Sequence, residues 1–156
     1  MKVSRRRRID ATPEQIWEAI SAIDGLAKWF AGAESASHTG GPDSGVGRKQ
    51  TIRRILYSRD VDVEQEVVGW DPPGYLRFYH LRETVEGREV RGVRNFHTTI
   101  LLSPLENATQ VEIEYTWEAG FGISWLQSLL LGGRVMSRDL TDMLKKIEAL
   151  VTSRDG

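Results

Sequence analysis

Residues 111–118 alternate between apolar and polar side chains with a period of two. The apolar set is Val111, Ile113, Tyr115 and Trp117, and the intervening set is Glu112, Glu114, Thr116 and Glu118. Because successive side chains of a β-strand point to opposite faces, this pattern predicts a strand with one buried face and one mostly acidic, solvated face. Antiparallel sheets commonly keep one face in water in this way.

Turn signals divide much of the remaining chain into further strands. Turn-forming residues occur at 40–45, 71–74, 86–88 and 104–108, and residues such as Gly, Pro, Asn and Asp supply the backbone conformations of tight turns. The segments between them contain many β-branched and aromatic residues, which favour strands. The predicted strands cover residues 2–10, 46–57, 61–67, 75–85, 93–102 and 111–118.

Two short helices are predicted after the first strand. Thr12 is a suitable N-cap, Pro13 fits the first helical position, and Gln15 stands where the partner of a capping box belongs. The first helix carries an apolar stripe made of Ile16, Trp17 and Ile20. Asp24-Gly25 is expected to end it, and residues 26–30 are expected to form the second helix.

The pattern changes to a helical period after Gly122. Apolar residues fall at spacings of three and four from Leu126 to Val151, which predicts one amphipathic helix of roughly 30 residues. The Gly132-Gly133 pair inside this helix is expected to bend it.

The order of these elements predicts the architecture. One strand, two short helices, about six strands and a long helix indicate an α+β fold in which residues 1–156 form a single domain. A curved antiparallel sheet of about seven strands is expected to wrap around the long C-terminal helix, whose apolar stripe matches the apolar face of the sheet. Such an arrangement tends to leave a cavity between sheet and helix, where small apolar ligands bind.

Composition narrows the classes of function. Lys and Arg total 21 against 22 Asp and Glu, whereas domains that bind nucleic acid through their overall field carry a positive excess. The chain has no cysteine, which excludes disulfides and cysteine-based metal or redox chemistry. No apolar run approaches the ~20 residues of a membrane span, and the N-terminus lacks the apolar region of a secretory signal. We therefore expect a cytoplasmic protein without stable membrane insertion or a nucleic-acid partner, and a homodimer stays open.

Five segments of the chain resemble the START-like (SRPBCC) superfamily, whose members share the helix-grip fold. The segments are "RRRRIDATPEQIWEAISAIDGLAKWF", "SGVGRK", "VVGWDPPGYLRF", "TILLSPLENATQVEIEYTWE" and "LTDMLKKIEAL". The first is similar to the superfamily's opening strand and helices, and the fourth to the hairpin before its last strand. The resemblance covers essentially the whole chain and implies the helix-grip fold of Bet v 1, polyketide cyclases and Aha1-type domains.

Three functions stay open under this resemblance. The first is a carrier or sensor that binds a small hydrophobic or aromatic molecule, lipid-like or polyketide-like, between sheet and helix. The second is an enzyme of the polyketide cyclase/dehydratase type that uses the same pocket. The third is a protein-interaction domain of the Aha1 type, which acts through its surface. No cofactor is expected for any of them.

Strand parity predicts the wall of the pocket. The inward-facing positions carry mostly apolar side chains, and His80, Thr98 and Tyr115 are their polar members. A filled core in which these polar groups are satisfied locally is the alternative. The candidate ligand-binding residues are Phe78, His80, Phe96, Thr98, Ile100, Tyr115 and Trp117 on the strands and Leu129, Met136 and Leu140 on the helix.

His80 is the candidate acid–base residue, because a neutral imidazole in a pocket can exchange a proton near pH 7. A structural role is the alternative, since the sequence places no carboxylate to orient the ring. Three scattered histidines lack the spacing of a metal site, so no metal is expected. The glycine-rich residues 40–47 lack the Lys-Ser/Thr and the following helix of a phosphate-binding loop and are predicted to form a hairpin loop.

Four consecutive arginines, Arg5–Arg8, are predicted to belong to the first strand rather than to a basic tail. Parity places Arg6 and Arg8 on the outer face, where Glu112 and Glu114 are the expected partners. Arg5 and Arg7 are expected to face the long helix. A buried guanidinium needs a partner, so carboxylates of that helix or an anionic group of a ligand are predicted near them.

Overall fold

The computed structural model describes residues 1–56, 58–90, 94–118 and 133–153. Within these ranges the elements are β1 (Lys2–Ile9), α1 (Pro13–Ser21), α2 (Ile23–Trp29), β2 (Ala33–Gly40), β3 (Lys49–Leu56), β4 (Arg59–Asp71), β5 (Tyr75–Val85), β6 (Arg88–Glu89), β7 (Arg94–Leu105), β8 (Ala108–Glu118) and α3 (Gly133–Thr152). The predicted α+β class and the predicted order of elements are confirmed.

The strands form one antiparallel sheet. Their order across the sheet is β1-β8-β7-β5-β4-β3-β2, and the two-residue β6 pairs with β5. The first strand therefore lies beside the last, with Lys2 opposite Thr116 and Ile9 opposite Thr109. The predicted count of about seven strands is confirmed, and β6 is a small addition to it. The strand β2 was not among the individually predicted segments, because its residues are mostly small or polar and none of them is fully buried.

The start of α1 forms as the sequence predicts. The Thr12 hydroxyl accepts a hydrogen bond from the Gln15 backbone N–H, and the Gln15 side chain accepts one from the Thr12 N–H. The predicted boundary between the short helices is wrong, because α2 already begins at Ile23. The break falls at Ala22, which has an extended backbone. Gly25 therefore lies inside α2 rather than before it. A Cβ at this position would come within 2.3 Å of the Ala19 carbonyl oxygen, so the glycine allows the two short helices to approach closely.

Several strand boundaries also differ from the prediction, and two of them have a clear physical reason. β3 begins at Lys49 rather than at residue 46, since Gly45 and Gly47 have φ values of 94° and 95° that a strand cannot adopt. β7 continues to Leu105 through Pro104. A proline fits there because β5 pairs with β7 only as far as Leu101, so no neighbouring strand among the described residues needs its missing N–H on that side.

The core lies between the sheet and the helices. α3 packs against β1, β8 and the two short helices. Its fully buried side chains are Leu140, Met143, Leu144, Ile147 and Val151, at the spacing of one helix face. The predicted beginning of this helix, with Leu126, Leu129 and Gly132, lies outside the described residues. Among the described residues, no helix is both long enough and apolar enough to cross a membrane.

Candidate functional site

The inner face of the sheet contains the strand residues that parity predicts to line a pocket. Phe78, Thr98, Ile100, Tyr115 and Trp117 are all buried on this face. The pairing register places Phe78 opposite Thr98 and Thr98 opposite Tyr115, so these side chains share one surface across β5, β7 and β8. Their placement agrees with the prediction, and their role as ligand contacts stays a prediction.

An aromatic cluster occupies the part of this face near β7. The Phe96 ring lies 4.4 Å from the His80 ring, 4.9 Å from Tyr115 and 6.2 Å from Trp117, measured between ring centroids. Tyr115 and Trp117 are buried, whereas His80 and Phe96 each keep part of their surface exposed. This edge of the core is therefore not sealed by the described residues.

The two candidate residues on α3 that the structure describes differ in burial. Leu140 is fully buried in the core, and Met136, one turn earlier, packs against it while half-buried. Leu129 lies outside the described residues. Next to Leu140, Met143 accepts a hydrogen bond from the Tyr115 hydroxyl at 3.9 Å. Burial raises the pKa of Tyr115, so its hydroxyl remains protonated at neutral pH.

A chain of hydrogen-bonded polar side chains crosses the inner face, and three of its five members were not among the sequence candidates. Arg48 Nε donates to Gln50 Oε1 at 3.0 Å, and Gln50 Nε2 donates to Gln65 Oε1 at 3.0 Å. His80 Nε2 then lies 3.2 Å from Gln65 Nε2 and 3.2 Å from the Thr98 hydroxyl oxygen. All but His80 are buried. The chain thus joins Arg48, at the start of β3, to the aromatic cluster.

The guanidinium of Arg48 sets the donor direction along this chain. Because Arg48 can only donate, the oxygen of Gln50 must face it, and each following amide must donate to the next member. The nitrogen of Gln65 therefore donates to His80 Nε2, which must accept and cannot carry a proton. The neutral His80 ring then holds its proton on Nδ1.

The surroundings of His80 hold it in this neutral form. Burial lowers the pKa of His80 to about 3, and the positive charge of Arg54 and the neighbouring His97 act in the same direction. At neutral pH the ring is a hydrogen-bonding group with almost no imidazolium. A base whose conjugate acid has so low a pKa is a poor proton acceptor, which weakens the acid–base hypothesis for His80.

A second polar group lies at the other end of β3. Arg54 Nε donates to the Ala31 carbonyl oxygen at 2.7 Å, and Nη2 donates to Asp139 of α3 at 3.2 Å. Burial raises the pKa of Asp139 against the opposing effect of Arg54. Glu83 of β5 faces the same interior, because it is paired with the buried Val63, and burial raises its pKa as well.

The arginines of β1 divide between the two faces as predicted. On the outer face Arg6 pairs with Glu112 at 3.2 Å as expected. The expected pairing of Arg8 with Glu114 is wrong, because the register places Gln110 opposite Arg8; Glu114 pairs with Lys2, and Arg8 lies 3.6 Å from Asp10. Arg7 pairs with Glu148 of α3 at 2.9 Å, which confirms a carboxylate partner from the helix.

The predicted burial of Arg5 and Arg7 is wrong. Arg5 is exposed and donates to the Ser137 hydroxyl at 2.9 Å, and 37% of the Arg7 side chain is exposed. Both lie on an edge strand, where long side chains reach the rim of the helix rather than the space beneath it. No contact joins either arginine to the aromatic cluster within the part of the chain that the structure describes.

The next feature is the distribution of side chains that could bind a metal ion. Residues 1–56, 58–90, 94–118 and 133–153 contain no cluster of three or more His, Cys, Asp or Glu side chains that could hold a metal ion. The expectation that the protein uses no metal or cofactor stays a prediction.

Comparison with known proteins places the chain among a large group of similar structures. A family model described as "Polyketide cyclase / dehydrase and lipid transport" matches residues 1–152. No curated protein matches the sequence.

Three solved structures illustrate the likeness. A protein from Thermus thermophilus is 19% identical, with 100% of each chain covered and a TM-score of 0.79. A START superfamily protein from Mycobacterium smegmatis is 10% identical, with 97% of each chain covered and a TM-score of 0.77. Ara h 8.0201 is 12% identical, with 98% of each chain covered and a TM-score of 0.70. Identities this low show a common fold and nothing about ligands.

Proposed function

Since the chain belongs to the polyketide cyclase / dehydrase and lipid transport family, we propose that it binds a small hydrophobic or aromatic molecule between the inner face of the sheet and α3, as a carrier or sensor. The START-like resemblance of the sequence is confirmed by the same family and by the START superfamily neighbour. The proposed ligand is lipid-like or polyketide-like.

The observation that carries this proposal is the incomplete cover of the aromatic cluster. Phe96 and His80 face the interior of the fold, yet both keep part of their surface exposed. Binding sites for small molecules are lined mainly by apolar and aromatic side chains with a few polar groups that orient the ligand. Phe96 offers a ring against which a flat ligand stacks.

His80 supplies a hydrogen-bond donor beside this ring. Its Nε2 is occupied by Gln65 and Thr98, which leaves the Nδ1–H, and no described residue accepts from it. A carbonyl or phenol oxygen of a bound molecule is a suitable partner. In this function the neutral state of His80 is an advantage, since a neutral donor beside an apolar ligand requires no buried charge.

A cyclase/dehydratase activity in the same space is the second candidate, and the observation that favours it is Glu83. Its carboxyl group faces the interior, has no hydrogen bond or ion pair with another described residue, and has a pKa raised by burial. A raised carboxyl pKa is suited to general acid–base work near neutral pH. In this function Glu83, rather than His80, transfers the proton.

Binding is tested with the neutral fluorescent probe N-phenylnaphthylamine. We expect the wild-type protein to bind it and Phe96→Ala to weaken binding about tenfold, since stacking and buried area are lost. Leu101→Ala is the matched control, because Leu101 lies on the same strand with its side chain on the outer face, 37% exposed. No binding by the wild type, or equal losses in both variants, would contradict the proposal.

Native mass spectrometry of the protein purified from its own host identifies a retained ligand.

The enzyme alternative is tested by incubation of the purified protein with a linear poly-β-ketone. If it is correct, Glu83→Gln lowers the cyclisation rate about a hundredfold or more, and His80→Gln has a smaller effect. Absence of turnover by the wild type would remove this alternative and leave the binding proposal intact.

A further inference from the structure

Arg48 is a buried cation whose partners among the described residues are all neutral. Only 2% of the residue is exposed. Nε donates to the Gln50 side chain and Nη1 donates to the Ser21 carbonyl oxygen at 2.8 Å. The guanidinium carbon lies 5.4 Å from the centre of the Trp70 ring. Nη2 is buried and has no hydrogen-bond partner within the described ranges.

This arrangement is costly for the protein alone. A buried guanidinium normally has a carboxylate partner, and an unpaired buried charge destabilises a fold. Burial accordingly lowers the pKa of Arg48, and no carboxylate in the described part of the chain opposes that effect. Arg54, which lies near the other end of β3 and is also buried, does have such a partner in Asp139. What Arg48 lacks among the described residues is therefore an anion.

We propose that Arg48 binds the carboxylate of the ligand, so that the molecule held between sheet and helix is an amphipathic organic acid. The proposal rests on the binding function above and adds the chemical class of the ligand. The free Nη2–H groups match a carboxylate oxygen, and charge-assisted bonds to carboxylates are the stronger kind of hydrogen bond. Arg48 is the last residue of the glycine-rich loop between β2 and β3.

The position of Arg48 also limits the length of the ligand. Arg48 immediately precedes β3, and the aromatic cluster around Phe96 lies on β7, three strand spacings away. At about 4.8 Å per spacing, the two sites are roughly 15 Å apart. An extended dodecanoic chain is about this long. The length of such a ligand therefore matches the separation of Arg48 and Phe96 across the inner face.

The test compares ligands that differ only in charge. Binding of dodecanoic acid and dodecanol, and of naphthoic acid and naphthamide, is measured by calorimetry at pH 7, where both acids are ionised. We expect the wild type to bind each acid at least tenfold more tightly than its neutral counterpart. In Arg48→Met this ratio falls to about one. Arg48→Lys retains part of the preference, because it keeps the charge and loses the planar fork.

Arg53→Met is the matched control, since Arg53 is an outward-facing arginine of β3 and pairs with Asp62. Its acid preference should equal that of the wild type. Should Arg48→Met fail to fold, Arg48→Lys and Arg48→Gln provide the same comparison.

The outcomes separate the two proposals. An acid preference that depends on Arg48 supports the inference. Equal binding of acid and neutral ligand by the wild type, or a preference unchanged in the Arg48 variants, overturns it while the binding function stands. Binding of neither member of either pair overturns both.

Discussion

The two buried arginines at the ends of β3 have closely similar environments except in one respect. Arg48 and Arg54 lie on the same face, each donates to a carbonyl oxygen beside a short helix, and each lies 5.4 Å from the centre of an aromatic ring. Arg54 has Asp139 as its counter-ion, whereas the side chain that Arg48 meets is Gln50. A fixed internal counter-ion makes an arginine part of the scaffold. The lack of one leaves an arginine able to bind an anion from outside.

The two arginines also differ in what they control. Arg54 joins β3 to α3, so its ion pair connects the sheet to the helix. Arg48 begins a chain of neutral amides that ends at His80. Through this chain it fixes the direction of hydrogen bonds inside the sheet face. We expect substitutions at these residues to separate stability from ligand selection.

The largest expected effect concerns the pH dependence of stability. The pKa of His80 is about 3 in the folded protein and about 6.5 in an unfolded chain. Between these values the unfolded state binds more protons, so the free energy of unfolding should fall as pH decreases through this window. The unfolding constant changes by up to about tenfold per pH unit from this one group.

The measurement is urea unfolding of the wild type and of His80→Gln from pH 7 to pH 3.5. The variant should lose less stability than the wild type as the pH falls. Asp139→Asn should instead lose more stability than the wild type as the pH falls. The pKa of Asp139 is raised in the fold, so its protonation favours the folded state of the wild type, and the variant lacks this contribution. Parallel pH curves for the wild type and His80→Gln would show that the His80 ring is not held neutral.

Loss of the paired arginine should be the next largest effect. Arg54→Met leaves the carboxylate of Asp139 without its partner, and 24% of that side chain is exposed. We expect a loss of about 2–4 kcal/mol in the free energy of unfolding, measured in urea. The double variant Arg54→Met/Asp139→Leu should recover at least half of it. A single variant as stable as the wild type would mean that Arg54 is not structural.

Loss of the unpaired arginine should change stability much less. Arg48→Met removes a buried charge and leaves only neutral acceptors, Gln50 and the Ser21 carbonyl, so we expect a free energy of unfolding within about 1 kcal/mol of the wild type.

The His80 ring provides a second readout. Its nitrogen chemical shifts should report a protonated Nδ1 in the wild type and a mixture of tautomers in the variant, because the amide chain is then free to reverse. A loss as large as that of Arg54→Met would place Arg48 in the scaffold.

Substitution of an exposed arginine should give the smallest loss in the free energy of unfolding. Arg6 pairs with Glu112 on the outer face, and 65% of its side chain is exposed. Pairs of this kind contribute roughly 0.2–1 kcal/mol, so Arg6→Ala should reduce the free energy of unfolding by no more than that. The effect should diminish further in high salt. A loss comparable to that of Arg54→Met would contradict the distinction between paired buried arginines and surface arginines.

The fold was predictable from the sequence because its strongest patterns are local. The alternation at Val111–Trp117 identifies a buried face without reference to any other strand, and the capping box at Thr12 identifies the start of a helix in four residues. These signals depend on chemical contrast between neighbouring residues. They predicted the order of elements and most of the inner-face residues correctly.

The polar part of the candidate site was hidden for two physical reasons. Residues 48–54 include polar side chains on both faces, so Arg48 and Gln50 do not stand out from their neighbours. Glu83 is hidden by a β-bulge at Leu81, which reverses the parity of β5 after His80. Gln65 did leave a signal, since it occupies a position between two buried valines that parity would fill with an apolar residue.

The pairing of β1 with β8 has a consequence for the time before the protein is folded. During synthesis the first strand emerges long before its partner residues, which extend to Thr116, and contacts so distant in sequence form late. Until then β1 is an unpaired strand, open to pairing with the same strand of another copy. Four adjacent positive charges at Arg5–Arg8 make such pairing unfavourable. We therefore expect the arginine run to disfavour aggregation of the nascent chain in the interval before its own last strand becomes available.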